Sequence, residues 1–179
     1  MAEFFNAHSY IISQILGFGA MFTAILMYQF KKHRTIMLLM VLSSGLWCLH
    51  FASMGLLSPV MLNVVNLSRA VVFSFRDKKW ANKPFIPVIF GAVSLILMVV
   101  TWEGPASLLP GIGTLCATFA GWQTDTKKLK ILTVPVCACW FTYDMLSKSI
   151  AGMCNEIFVL ASIVVFFVRV RKRPAEKTE

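Results

Sequence analysis

One stretch of this chain occurs twice. Gly17 to Lys79 can be laid on Gly111 to Lys172 with Gly17 on Gly111, Gly19 on Gly113, Tyr28-Gln29 on Trp122-Gln123 and Trp47 on Trp140. At the far end Val71-Val72-Phe73 falls on Val164-Val165-Phe166, and Arg76, Lys78 and Lys79 fall on Arg169, Arg171 and Lys172. The offset is 94 residues at the glutamines and 93 at the tryptophans, so one residue is lost in the first loop of the second copy. Apolar helices align by composition alone, so the weight rests on the aligned Trp, Gln and basic positions. A duplication restricts the fold to two like units packed together before any motif is considered.

The repeated unit is too apolar for water. Over 179 residues the chain is 58% hydrophobic and 14% charged, with a mean hydropathy of +0.73. Nearly every apolar run is long enough to cross a hydrocarbon core of about 30 Å, which takes about 20 helical residues. The net charge of +9 would suit a nucleic-acid binder, but the Lys and Arg residues gather in short loops between apolar runs. That is the positive-inside pattern, which sets orientation and not partner. All five cysteines (Cys48, Cys116, Cys137, Cys139 and Cys154) fall inside apolar runs, so small packing residues are expected instead of disulfides or a metal site. The N-terminus has no basic n-region and no small-residue cleavage site, so no removable signal peptide is expected.

Basic clusters and turn residues divide the chain into seven expected spans. These are about Ser9 to Phe30, Thr35 to Gly55, Pro59 to Phe75, Pro84 to Thr101, Ala106 to Gln123, Ile131 to Leu146 and Ile150 to Val168. The clusters Lys31-Lys32-His33-Arg34, Arg76-Asp77-Lys78-Lys79, Lys127-Lys128-Leu129-Lys130 and Arg169 to Arg173 all fall at one membrane face. The opposite face carries little charge beyond Glu3, Glu103 and Lys148. The N-terminus is therefore expected outside and the C-terminus in the cytoplasm, as a multi-pass membrane protein. The fourth span has no partner in the duplication. Because a triplet of helices ends on the side opposite to its start, an unpaired crossing is needed for the second copy to begin where the first did. The expected fold is thus an all-α membrane protein of seven transmembrane helices in a parallel 3+1+3 arrangement. Residues 1–83 hold the first triplet, 84–105 the linking helix, and 106–179 the second triplet with a basic tail. Pro135 inside the sixth span is expected to kink it.

Polar side chains within spans mark the candidate site, because such groups are costly in lipid unless they face a cavity or a partner. Asn63, Asn66 and Arg69 recur every third residue and share one face of the third helix. In the second copy Glu156 stands where Asn63 stands in the first, with Asn155 beside it. Asn63 and Asn155 each follow a Trp, Trp47 and Trp140, at nearly equal spacing. Two readings stay open for these groups: interhelical hydrogen bonds worth about 0.6 kcal/mol each, or the wall of a cavity. Arg69 either extends its stem to the headgroups or pairs with Asp144 or Glu156. His50 either titrates as a proton-coupling group or is a polar residue at the interface.

A three-helix unit, its parallel copy and a linking helix resemble the sugar-transporting SWEET proteins and the wider PQ-loop group, a known class of parallel-repeat transporters. The resemblance implies a pocket lined by Trp47, Asn63, Trp140 and Asn155. The Pro-Gln pair that names the group would fall at Tyr28-Gln29 and Trp122-Gln123, where the Gln is present and the Pro is absent. Over nearly the whole chain the pattern is also similar to the bacterial inner-membrane YgjV family.

The function expected from these features is small-solute transport or facilitation, for a sugar or another small metabolite, by alternating access between the two bundles. Substrate would meet Trp47, Asn63, Asn66, Trp140 and Asn155, while Arg69, Asp144, Glu156 and His50 would form a charge gate or couple protons. The alternative is a non-transporting receptor, scaffold or complex subunit on the same fold. No catalytic arrangement stands at a common face, so no enzyme, cofactor or metal is expected. Expected partners are the lipid bilayer and a small-molecule solute and not nucleic acid, with homo-oligomerisation left open.

Overall fold

The computed structural model describes residues 2–27, 30 and 33–172. The Tyr28-Gln29 pair, Lys31-Lys32 and the tail from Arg173 onward lie outside the described residues. Among the described residues there are seven α-helices and no strand. They are α1 (Ala2–Met27), α2 (His33–Ser53), α3 (Leu57–Ser74), α4 (Phe85–Val100), α5 (Leu108–Trp122), α6 (Thr126–Leu146) and α7 (Ile150–Lys172), with a single 3₁₀ turn at Pro105–Ser107 leading into α5.

Helix starts differ from the sequence expectation, most at α1, which begins at Ala2 and not near Ser9, and at α6. The run from Thr126 to Lys130 belongs to α6 and not to the preceding loop, because Asp125 caps the helix by accepting a hydrogen bond from the Lys127 N–H at 2.8 Å. At α3 the cap is non-local: Leu56 offers no side-chain bond, and Glu103, from the loop after α4, accepts from the N–H groups of Leu57 at 2.6 Å and Ser58 at 3.5 Å. A carboxylate at a helix N-terminus satisfies orphan donors and opposes the positive end of the dipole. Pro135 lies inside α6, which runs on through it.

Among the described residues four helical stretches are long and apolar enough to cross a membrane: His8–Leu26, Leu57–Ser74, Thr126–Leu146 and Ile150–Arg171. Leu38–Ser53 and Phe85–Val100 are apolar but shorter. The distribution of side chains identifies the solvent. Large apolar groups face outward, as with Val99 (68% exposed) and Val100 (74%) on α4, while Ser13, His50, Ser94, Thr114, Thr118 and Ser149 are fully buried. A water-soluble domain places these classes the other way round. An apolar exterior over small and polar contacts is the arrangement that lipid favours, because hydrocarbon gives helices no hydrophobic reason to associate and close packing and hydrogen bonds must hold them.

The helices form a closed ring. α1, α2 and α3 pack in succession, as do α5, α6 and α7; α3 meets α5 and α7 meets α1, while α4 lies against α3 and α5. Small residues set the closest approaches. A Cβ on Gly17 of α1 would stand 2.6 Å from the Ala151 Cβ of α7, and one on Gly113 of α5 would stand 3.0 Å from the Trp140 indole of α6.

At the ends of the helices away from the basic loops, hydrogen bonds sew the ring shut. The His50 ring lies 2.6 Å from the Ser13 carbonyl oxygen through Nδ1 and 2.8 Å from Ser149 Oγ through Nε2. A carbonyl only accepts, so Nδ1 carries a proton. Ser149 Oγ also accepts from the Gly152 N–H at 3.1 Å. Beside this chain the Ala151 N–H donates to Gln14 Oε1 at 3.0 Å and the Tyr10 hydroxyl donates to the Lys148 carbonyl at 3.0 Å. The α6–α7 turn is thereby fastened to α1 through α2.

Candidate functional site

The ring encloses a cavity of about 300 Å³. Its walls come from both halves of the chain: Trp47 and Phe51 of α2, Asn63, Asn66 and Arg69 of α3, Thr133, Cys137, Trp140 and Asp144 of α6, and Gly152, Asn155 and Glu156 of α7. Each helix contributes the side chains that helical spacing puts on its inner face. Trp47 and Phe51 are four apart, Thr133, Cys137, Trp140 and Asp144 are four, three and four apart, and Asn63, Asn66 and Arg69 are three apart.

The aromatic wall is continuous across the two halves. Phe51 lies 6.0 Å from Trp47 on its own helix and 6.0 Å from Trp140 across the ring, and Tyr143 stands 6.4 Å from both Phe51 and Trp140. Phe51 is a wall residue the sequence reading did not single out. Its distance of four from Trp47 was the available signal.

The polar wall is asymmetric in its hydrogen bonding. The Asn63 Nδ2 donates to the Pro59 carbonyl at 2.9 Å, and the Asn155 Nδ2 donates to Glu156 Oε1 at 3.0 Å. Arg69 does not snorkel, and among the described residues no ion pair joins it to Asp144 or Glu156. Its Nη1 instead donates to the Thr114 carbonyl at 3.2 Å and to Thr118 Oγ1 at 2.9 Å, both on α5. The third-helix face turns Arg69 towards α5, where a helix carbonyl and a hydroxyl already lie at the buried contact. Asp144, only 2% exposed, has its Oδ1 buried without a hydrogen-bond partner, and Asn66 Oδ1 is in the same condition.

Of the residues singled out from sequence, Trp47, Asn63, Asn66, Arg69, Trp140, Asp144, Asn155 and Glu156 all line this cavity. His50 is set apart from them. It is fully buried, and its ring is committed to Ser13 and Ser149, so it is not a polar residue at the interface. Among the described residues no group of three or more His, Cys, Asp or Glu is placed to hold a metal ion.

A second cavity of about 480 Å³ lies between α1, α6 and α7, nearer the basic loops. Met21, Ala24, Lys130, Ser162 and Ile163 help to line it, and it shares Thr133, Asn155 and Val159 with the first. On the other side of the ring the corresponding end is bolted. Arg76, just beyond α3, donates to the Trp122 carbonyl and lies over the Trp122 ring at 4.0 Å, while Phe73 meets the same ring edge-on at 5.3 Å. Trp122 is therefore a fixed contact between α3 and α5.

A family model for bacterial inner membrane proteins, Imp-YgjV, matches residues 11–174 of the chain. No curated protein and no solved structure matches it.

Proposed function

The chain belongs to the Imp-YgjV family of bacterial inner membrane proteins, and from that premise we propose that it carries a small polar solute across that membrane. The observation that supports this most is the cavity itself, walled by indoles, carboxamides and charged groups inside a bundle whose outer surface is apolar. A polar chamber is costly to keep in lipid and is usually retained for passage or binding.

The proposed architecture is 3+1+3, with α1–α3 and α5–α7 as like triplets and α4 as the link. Helix contacts support it: under the sequence offset, α1–α2 and α2–α3 correspond to α5–α6 and α6–α7, and α3–α5 corresponds to α7–α1. Rocking of one triplet against the other would then open the chamber alternately to each side. The second cavity, sharing Thr133, Asn155 and Val159 with the first, is the natural continuation towards the basic face. Positive-inside loops place that face in the cytoplasm, with the N-terminus outside. Reporter domains fused after Lys79, Lys128 and Glu179 should all report from the cytoplasm; a periplasmic signal from any of them would overturn this orientation.

Transport itself is tested by solute flux in proteoliposomes. The wild type is expected to pass at least one small metabolite faster than empty vesicles, with Asn63→Ala and Asn155→Ala slowing it about tenfold or more, as expected for a lost hydrogen bond at a buried site. Equal leak in all three proteins would sink the reading. A non-transporting receptor or complex subunit is the second reading, and the Arg76–Trp122 bolt favours it, because it stiffens the α3–α5 seam that rocking must loosen. Absence of flux together with one stoichiometric co-purifying partner would establish that reading instead.

A further inference from the structure

Resting on the solute-carrying reading, we propose that the occupant of the 300 Å³ cavity is a small organic ammonium ion, held by the carboxylate of Asp144 with that of Glu156 nearby and covered by the indole faces. The argument is a donor and acceptor inventory of the wall. Several of its donors are engaged by the protein itself. The Asn63 amide NH₂ is engaged by Pro59, that of Asn155 by Glu156, and Arg69 Nη1 by Thr114 and Thr118. Two of its buried acceptors are unmet. Asp144 Oδ1 and Asn66 Oδ1 are buried with no donor to meet them, on side chains that line the cavity.

A buried carboxylate oxygen without a donor is costly, and what relieves it is a group rich in N–H and positive charge. An ammonium group has three donors and no acceptor, so it complements a wall of this kind where an anion would not. The remaining wall is aromatic. Trp47, Phe51 and Trp140 form a connected face, and a cation over indole faces gains electrostatic attraction that a neutral polyol does not.

A matched series of four-carbon probes tests this on the detergent-purified full chain. 1,4-Diaminobutane, butane-1,4-diol and succinate share length and differ in the charge at their ends. Thermal unfolding is expected to rise with 1,4-diaminobutane and not with the diol or the dicarboxylate, since a ligand that binds the folded state raises its melting temperature. Asp144→Asn, which keeps the shape, should weaken the diamine effect about tenfold or more, the equivalent of one charge-assisted hydrogen bond. Glu156→Gln on a different helix provides an independent reading if Asp144→Asn does not fold, with a smaller loss expected. An equal response to all three probes, a response only to the diol or succinate, no response to any of them, or undiminished diamine binding in the folded carboxamide variants would overturn the proposal. A response to the diol or succinate alone would leave the solute-carrying reading standing while removing the ammonium. Flux measurement decides that reading separately.

Discussion

His50→Ala is expected to destabilise the detergent-purified protein by about 3–5 kcal/mol, from the cavity left by a fully buried ring and the loss of both its hydrogen bonds. Ser149 Oγ would lose its ring partner, and the bonds of Gln14 and Tyr10 would remain to tie the α6–α7 turn to α1. His50→Leu separates the two causes. It restores most of the volume but neither bond, so it should recover the packing part and retain a loss of about 1–3 kcal/mol. Thermal unfolding of the three proteins side by side is the measurement. If His50→Leu melts with the wild type, the Ser13–His50–Ser149 chain carries no stability and the account of this seam is wrong.

Gly152→Ala is the second large effect, and it acts at the cavity wall. A Cβ at this position would run into the carboxylate of Asp144, atom on atom, because α7 passes directly over that side chain. The neighbour cannot yield freely, since Asp144 is itself 2% exposed. Overpacking of this kind costs about 1–3 kcal/mol, and it should also displace the carboxylate and abolish any response to 1,4-diaminobutane. Removing the obstacle should compensate. The pair Gly152→Ala with Asp144→Ala is expected to melt above Gly152→Ala alone, a non-additivity that contacting residues produce and distant ones do not. A Gly152→Ala protein with unchanged melting and unchanged probe response would show that the contact is not a tight one.

Several of these features were legible in the amino-acid order. Asn63, Asn66 and Arg69 could be placed on one face because a spacing of three on a helix permits little else, and the structure sets all three on one cavity. The bilayer as solvent followed from composition, since too few polar groups exist to cover a surface in water. Helix ends were less legible. The basic run after Asp125 was expected to be a loop because its charge suggested solvent, yet an Asp cap begins the helix there. Charge reports which side of the membrane a residue prefers, and a helix satisfies that preference as well as a loop does.

Partners were the least legible part. Nothing local links Glu103 to the start of α3, or Arg69 to Thr114 and Thr118, because those contacts join residues more than forty positions apart. Snorkelling and a carboxylate partner were both open for Arg69, but a helix carbonyl and a hydroxyl were nearer once α3 had packed on α5. The surroundings of His50 were hidden for a related reason. Its height near a helix end suggested the interface, and only the approach of Ser13 and Ser149 from two other helices buries it.

The short helices α4 and α5 have a consequence for the surrounding lipid. At 16 and 15 residues, they rise only about 24 Å and about 22 Å, against a hydrocarbon thickness of about 30 Å. In the proposed topology the leaflets must pucker inward along that flank, at fractions of a kcal/mol for each ångström of mismatch. In that topology the protein would sit in the membrane with one thin side and one thick side, and lipids of shorter chain would collect against α4.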